Sequence, residues 1–274
     1  MTVVIKKRLR KKISRPPLLV GMLDSGVETR LGSRVVAAQA FLKGELGAIE
    51  IKQAHPDRLG HGTTLASIIA ERVPEARFVV AQIFTSQLLA SAHQAAAGLD
   101  WLVAQEVKIV NMSFGLRVDR EPLAQACQRA IAAGVVLVAA SPAMGAAVFP
   151  SAYPGVIRVT GDVRCAADEF SQMDSPQAEY GACVRVPGSP VAGASVATAY
   201  ISAVLARYLS RNPVESSLAP ARPDGLRSWL NQTATYRGMP THFDLIPPER
   251  RLRWEALESQ TAVRTEAGMA SKGI

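Results

Sequence analysis

A serine, a histidine and an aspartate lie far apart in this chain, each where a side chain is well placed for chemistry. Ser195 sits in Pro190–Ala206, PVAGASVATAYISAVLA, a glycine-bearing loop running into a helix whose Ala197, Ile201, Val204 and Leu205 form an apolar stripe. A hydroxyl in that first turn lies at the positive end of the helix dipole, among unpaired N–H groups that can hold a negative oxygen. Serine also caps helices, so this stretch alone leaves cap and nucleophile both open. His61 opens HGTTLASIIAERV, where Leu65, Ile68 and Ile69 share a helical face. Asp24 follows the apolar run Leu18–Leu23, at the carboxyl end of a predicted strand, where ligands bind in open α/β sheets. Asp-Ser-Gly is equally good turn chemistry. Together the three residue types suit acyl transfer. A serine hydroxyl is a weak nucleophile until a base takes its proton. Histidine titrates close enough to neutrality to be that base, and a buried carboxylate fixes its tautomer.

The elements that must position this trio alternate. Predicted strands at Leu18–Leu23, Arg77–Phe84, Lys108–Gly115, Val135–Ala140, Val156–Gly161 and Gly181–Gly188 are nearly continuous apolar runs. Between them, helical spacing predicts helices at His61–Val73, Ser86–Gln105 and Glu121–Ala133, then the Ser195 helix and a short one over Arg227–Asn231. Ala37–Leu42 fits either a helix or a strand, and Ile49–Gln53 alternates like a strand. Strand–helix alternation with short links is the signature of a mostly parallel sheet with helices on both faces, an α/β fold.

Composition narrows the function classes. The 274 residues are 48% hydrophobic and 20% charged, the profile of a globular protein. The net charge of +8 is concentrated in residues 1–15, which hold seven Lys or Arg and no acid, so the remainder is close to neutral. We read residues 1–16 as a basic arm, 17–238 as the folded domain and 239–274 as a partly disordered extension. No aromatics interleave with the basic residues, so nucleic acid is not the expected partner. Cys127, Cys165 and Cys183 have no metal-like spacing and suggest reduced thiols. With no signal peptide or membrane span visible, the expected location is cytoplasmic.

The blocks LDSGV around Asp24, HGTTLASIIA around His61 and GASVATA around Ser195 resemble the three active-site blocks of the subtilisin-like serine proteases, in that family's order. GLDWLVAQEVKIVNMSFG, GVVLVAA, YPGVIRV, VRVPG, ARYLSRNP and LRSWLNQTA are similar to further core segments, so the resemblance covers about 17–238. It implies a three-layer subtilisin-like fold acting on a peptide or protein substrate. Asp24 would orient, His61 would act as base and then acid, and Ser195 would attack. Ser113, Phe114 and Gly115 would lie along the bound peptide, and the Ser195 N–H would be one oxyanion donor. Family members usually supply a second donor from an asparagine whose position here is Ala143; Ser141 is the nearest alternative. Alanines 194 and 199 stand where threonine and proline are usual. The calcium loop seen after the histidine helix in many relatives has no counterpart, so no metal and no cofactor are expected. Limited processing by an endopeptidase is the primary expectation. A binding protein without catalysis and an acyl transferase are the alternatives, and nothing indicates the oligomeric state.

Overall fold

The central strands are apolar runs that can be buried on both faces only when helices cover them, and with the edge strands they form one ten-stranded sheet. The computed structural model describes residues 17–212 and 223–240. The basic arm and the extension beyond residue 240 fall outside the described residues.

The strands are β1 (Leu19–Asp24), β2 (Val35–Lys43), β3 (Ile49–Gln53), β4 (Arg77–Gln82), β5 (Ile109–Met112), β6 (Val136–Ala140), β7 (Ile157–Gly161), β8 (Phe170–Gln172), β9 (Tyr180–Ala182) and β10 (Tyr236–Arg237). Their spatial order is β10-β8-β9-β7-β6-β5-β1-β4-β2-β3. All neighbours are parallel except β2 with β3 and β8 with β9. The helices are α1 (His61–Arg72), α2 (Ala92–Ala104), α3 (Glu121–Ala132), α4 (Ala194–Arg211) and α5 (Pro223–Thr233).

Alternation along each strand divides the core in two. Val20, Met22, Phe78, Val80 and Val138 face Leu65 and Ile69 of α1, Ile201 and Leu205 of α4, and Leu226 and Leu230 of α5. Leu23, Val79, Ala81, Val110, Met112 and Leu137 face Leu99 and Leu102 of α2 and Leu123 of α3. The result is the expected three-layer α/β sandwich. Because α1 and α4 share a face, the Arg72 guanidinium stacks 4.2 Å above the Tyr200 ring and braces the two helices. Among the described residues, no helix is long and apolar enough to cross a membrane.

Local chemistry moved several boundaries. The helix predicted from Ser86 begins at Ala92, because the Ser91 side chain accepts from the Gln94 N–H while the Gln94 side chain accepts from the Ser91 N–H. Thr85–Ala90 is therefore a loop, with Leu88 and Leu89 exposed. Residues 37–42, open between helix and strand, lie within β2. The strand predicted over Gly181–Gly188 shrinks to Tyr180–Ala182.

Candidate active site

Asp24 closes β1 at its carboxyl end and is completely buried. Its Oδ1 lies 2.7 Å from His61 Nδ1, and it also accepts from the Ser25 N–H at 2.7 Å and the Ser25 hydroxyl at 3.1 Å. Among the described residues, its Oδ2 has no hydrogen-bond partner. Two features bring the turn and α1 together. The Gly62 N–H donates to Ser25 Oγ at 2.9 Å. In addition, Gly62 passes so close to the Asp24 turn that a Cβ there would collide with the Gly26 carbonyl oxygen.

Asp57, which sequence reasoning missed, holds the start of α1. Its Oδ1 accepts from the N–H groups of Leu59 and Gly60, and its Oδ2 from the N–H and hydroxyl of Thr63 at 2.8 and 2.6 Å. This satisfies N–H groups that have no intrahelical acceptor and puts a negative charge at the positive end of the helix. The only available signal was an acid four residues before a helix start. Burial opposes a positive charge on His61. The bond to Asp24, with the charges of Asp24 and Asp57, outweighs it and raises the imidazole pKa above its ordinary value.

Ser195 stands in the first turn of α4, half-buried. Gly193 precedes it with a φ of 81°, a conformation that suits glycine, and aims the turn toward the carboxyl edge of the sheet. Helices α1 and α4 pack side by side, so His61 and Ser195 open neighbouring helices on one face. Between those openings, the Thr64 and Ser189 hydroxyls are 3.5 Å apart. The Ser195 hydroxyl donates to the Ser113 carbonyl at 3.3 Å.

Ser113 is buried, Phe114 is half-buried and Gly115 is exposed. They continue β5 beyond its last paired residue, up to a bridge between Leu116 and Phe149. Neither Phe114 nor Gly115 makes a backbone hydrogen bond among the described residues. Ser141 is buried, and its hydroxyl donates to the Gln177 carbonyl at 2.6 Å; Ala143 is exposed in the loop after β6. Ala199 is fully buried within α4, which runs 18 residues.

The sequence profile of the subtilase family matches residues 17–246. The thermostable alkaline protease of Halalkalibacterium halodurans is 28% identical over 249 residues, covering 82% of this chain; the chain spans 64% of that relative's length. Among solved structures, a lanthipeptide protease superimposes with a TM-score of 0.61 at 16% identity, over 80% of each chain. The prenylagaramide maturation protease PagA does so with 0.56 at 20% identity, over 81% of this chain and 84% of its own.

Proposed function

Because the chain belongs to the subtilase family, we propose that it is a serine endopeptidase that uses Asp24, His61 and Ser195 to hydrolyse peptide bonds. The observation that supports this most is the buried 2.7 Å contact of Asp24 Oδ1 with His61 Nδ1, made beside the helix that Ser195 opens. With a carboxylate as acceptor, Nδ1 carries the proton and Nε2 is left free as base. The Ser195 hydroxyl turns from the Ser113 carbonyl toward Nε2, gives up its proton and attacks the substrate carbonyl carbon. The resulting negative oxygen meets the Ser195 N–H at the head of α4. His61 then protonates the departing amine, and water attacks the acyl-enzyme by the same route in reverse.

The open backbone of Phe114 and Gly115 suits an extended peptide added as a further strand. We take the substrate to be a peptide or protein precursor cut at limited sites; two proteins of this fold are titled as a maturation protease and a lanthipeptide protease. A cytoplasmic setting belongs to the same proposal. Cys127, Cys165 and Cys183 are free thiols, the state a reducing compartment preserves.

Ala143 favours a second reading, a catalytically weakened relative that binds peptides without cutting them. A fluorophosphonate probe separates the two. Labelling of Ser195 that disappears in His61→Ala supports the endopeptidase. Folded protein that stays unlabelled supports the binding protein.

A further inference from the structure

An open pocket of about 300 Å³ lies beside the Asp24 turn, between the segment entering α1 and the segment leaving β4. That volume is at the lower end of the range for small-ligand sites. Leu42 and the Gln82 side chain line it, with His55, Arg58, Thr85 and Ser86 around them. Gln82 ties it to the site already described. Its Nε2 donates to the Ser25 carbonyl at 2.7 Å and to the His55 carbonyl at 3.1 Å, and its Oε1 accepts from the His55 N–H at 2.9 Å. The same residue pairs with Asp24 across β1 and β4.

The lining has one sign of charge. Arg58 and His55 are exposed, and neither side chain has a partner among the described residues. Thr85 and Ser86 add hydroxyl donors, and among the described residues no carboxylate lines the pocket. Asp57, the acid next to Arg58 in sequence, is buried with both oxygens turned to the start of α1. A guanidinium without a side-chain partner, in a pocket that hydroxyl-bearing residues also line, is suited to a carboxylate, which it can grip with two parallel N–H bonds.

We propose that this pocket reads an acidic side chain, Glu or Asp, at one position of the peptide substrate. Arg58 supplies the charge, and His55, Thr85 and Ser86 supply further donors. The proposal rests on the endopeptidase reading and gives its substrate a chemical class. Arg58 belongs to the segment that enters α1 at His61, and Gln82 joins the pocket to the Asp24 turn through the Ser25 carbonyl, which sets the pocket beside the proposed catalytic centre.

The test uses the full chain carrying Ser195→Ala, which leaves bound peptide uncut. Fluorescein-labelled decapeptide pools, each with one position fixed as Glu, Gln or Lys, are titrated by anisotropy at low salt. At one position the Glu pool is expected to bind roughly three- to tenfold more tightly than the Gln pool, with Lys weakest. That preference should shrink as salt is raised, disappear with Arg58→Ala and turn toward Lys with Arg58→Glu. Equal affinity at every position, no binding by any pool, or a Glu preference that survives Arg58→Ala would overturn the proposal. Failure of the endopeptidase reading shows elsewhere, as wild-type Ser195 that the fluorophosphonate does not label, and leaves the binding comparison intact.

Discussion

Ser113 and Ser195 exchange hydrogen bonds: the Ser113 hydroxyl donates to the Ser195 carbonyl at 3.2 Å, and the Ser195 hydroxyl donates to the Ser113 carbonyl at 3.3 Å. The exchange extends inward. Asn111 Nδ2 donates to Ser113 Oγ at 3.0 Å, and the Ser202 hydroxyl donates to Asn111 Oδ1 at 3.0 Å. Residues 111 and 113 share a side of an extended segment, and residues 195 and 202 lie two turns apart on one side of a helix. The first turn of α4 is thus tied to the centre of the sheet by a polar chain whose inner members are fully buried. Ser113→Ala cuts the chain but keeps the carbonyl that holds the Ser195 hydroxyl. We expect fluorophosphonate labelling to slow about two- to tenfold, the worth of one neutral hydrogen bond, with the fold retained by circular dichroism.

Asn111→Leu tests the inner half of the chain. It strands the buried Ser202 hydroxyl and leaves Ser113 Oγ without a donor. Unsatisfied buried groups cost about 1–3 kcal/mol each, so a melting point roughly 5–15 °C lower is expected. A second substitution, Ser202→Ala, should recover part of that loss, because it removes the stranded hydroxyl. Unchanged melting in Asn111→Leu would mean that the chain does not hold the two elements together.

Gly62→Ala changes no group with catalytic chemistry. Its methyl meets the Gly26 carbonyl oxygen, so α1 must back away from the turn that carries Asp24. Overpacking of this kind costs about 1–3 kcal/mol. The larger effect is expected on labelling, because the Asp24–His61 contact depends on that approach. A melting curve and a labelling rate measured on the same preparation check both effects; wild-type labelling would show that the approach is not needed.

Asp24 and His61 were legible as the end of an apolar run and the start of a helical one, and Ser195 as the head of a second helix. Their order along the chain made the trio recognisable. The groups that hold them were not legible, because their partners are set by tertiary contact. Asp57 reads as a loop acid, Gln82 as a polar residue within a strand and Asn111 as a polar interruption in an apolar run. Each acquires a role only when α1, β1 or α4 arrives beside it. Strands β8 and β10, three and two residues long, are too short to show a period. Residues 86–90 read as helix because Leu88 and Leu89 continue the spacing of α2, yet the cap at Ser91 stops the helix first.

With His61 as the proposed base, the reaction is expected to depend on pH in one direction. The base must be neutral, and Asp24 and Asp57 together raise the imidazole pKa despite burial. Labelling of Ser195 should therefore be full at high pH and fall as pH drops through that raised value. In Asp24→Asn the bond and charge that favour the imidazolium are lost while burial remains, so the acidic limb should move to lower pH. The plateau should fall as well, by about 10⁴, because the amide selects the wrong tautomer. Asp57→Asn should move the limb the same way by less. A limb that stays in place in both variants would assign it to another group.

Ala143 is where added chemistry should raise activity. It lies exposed in the loop after β6. Ser141, two residues before it, is buried with its proton held by the Gln177 carbonyl, so neither side chain offers a donor to an oxygen in front of Ser195. On the endopeptidase reading, the donor named for the developing charge is then the Ser195 N–H at the head of α4. An amide donor placed opposite acts on charge that exists only in the transition state. It should therefore raise turnover and leave KM nearly unchanged. Ala143→Asn is expected to increase turnover by about 10²–10³, the effect measured for such a donor elsewhere. Ala143→Leu, similar in bulk and without a donor, should give no gain. Equal rates for the two variants would place residue 143 out of reach of the reacting carbonyl.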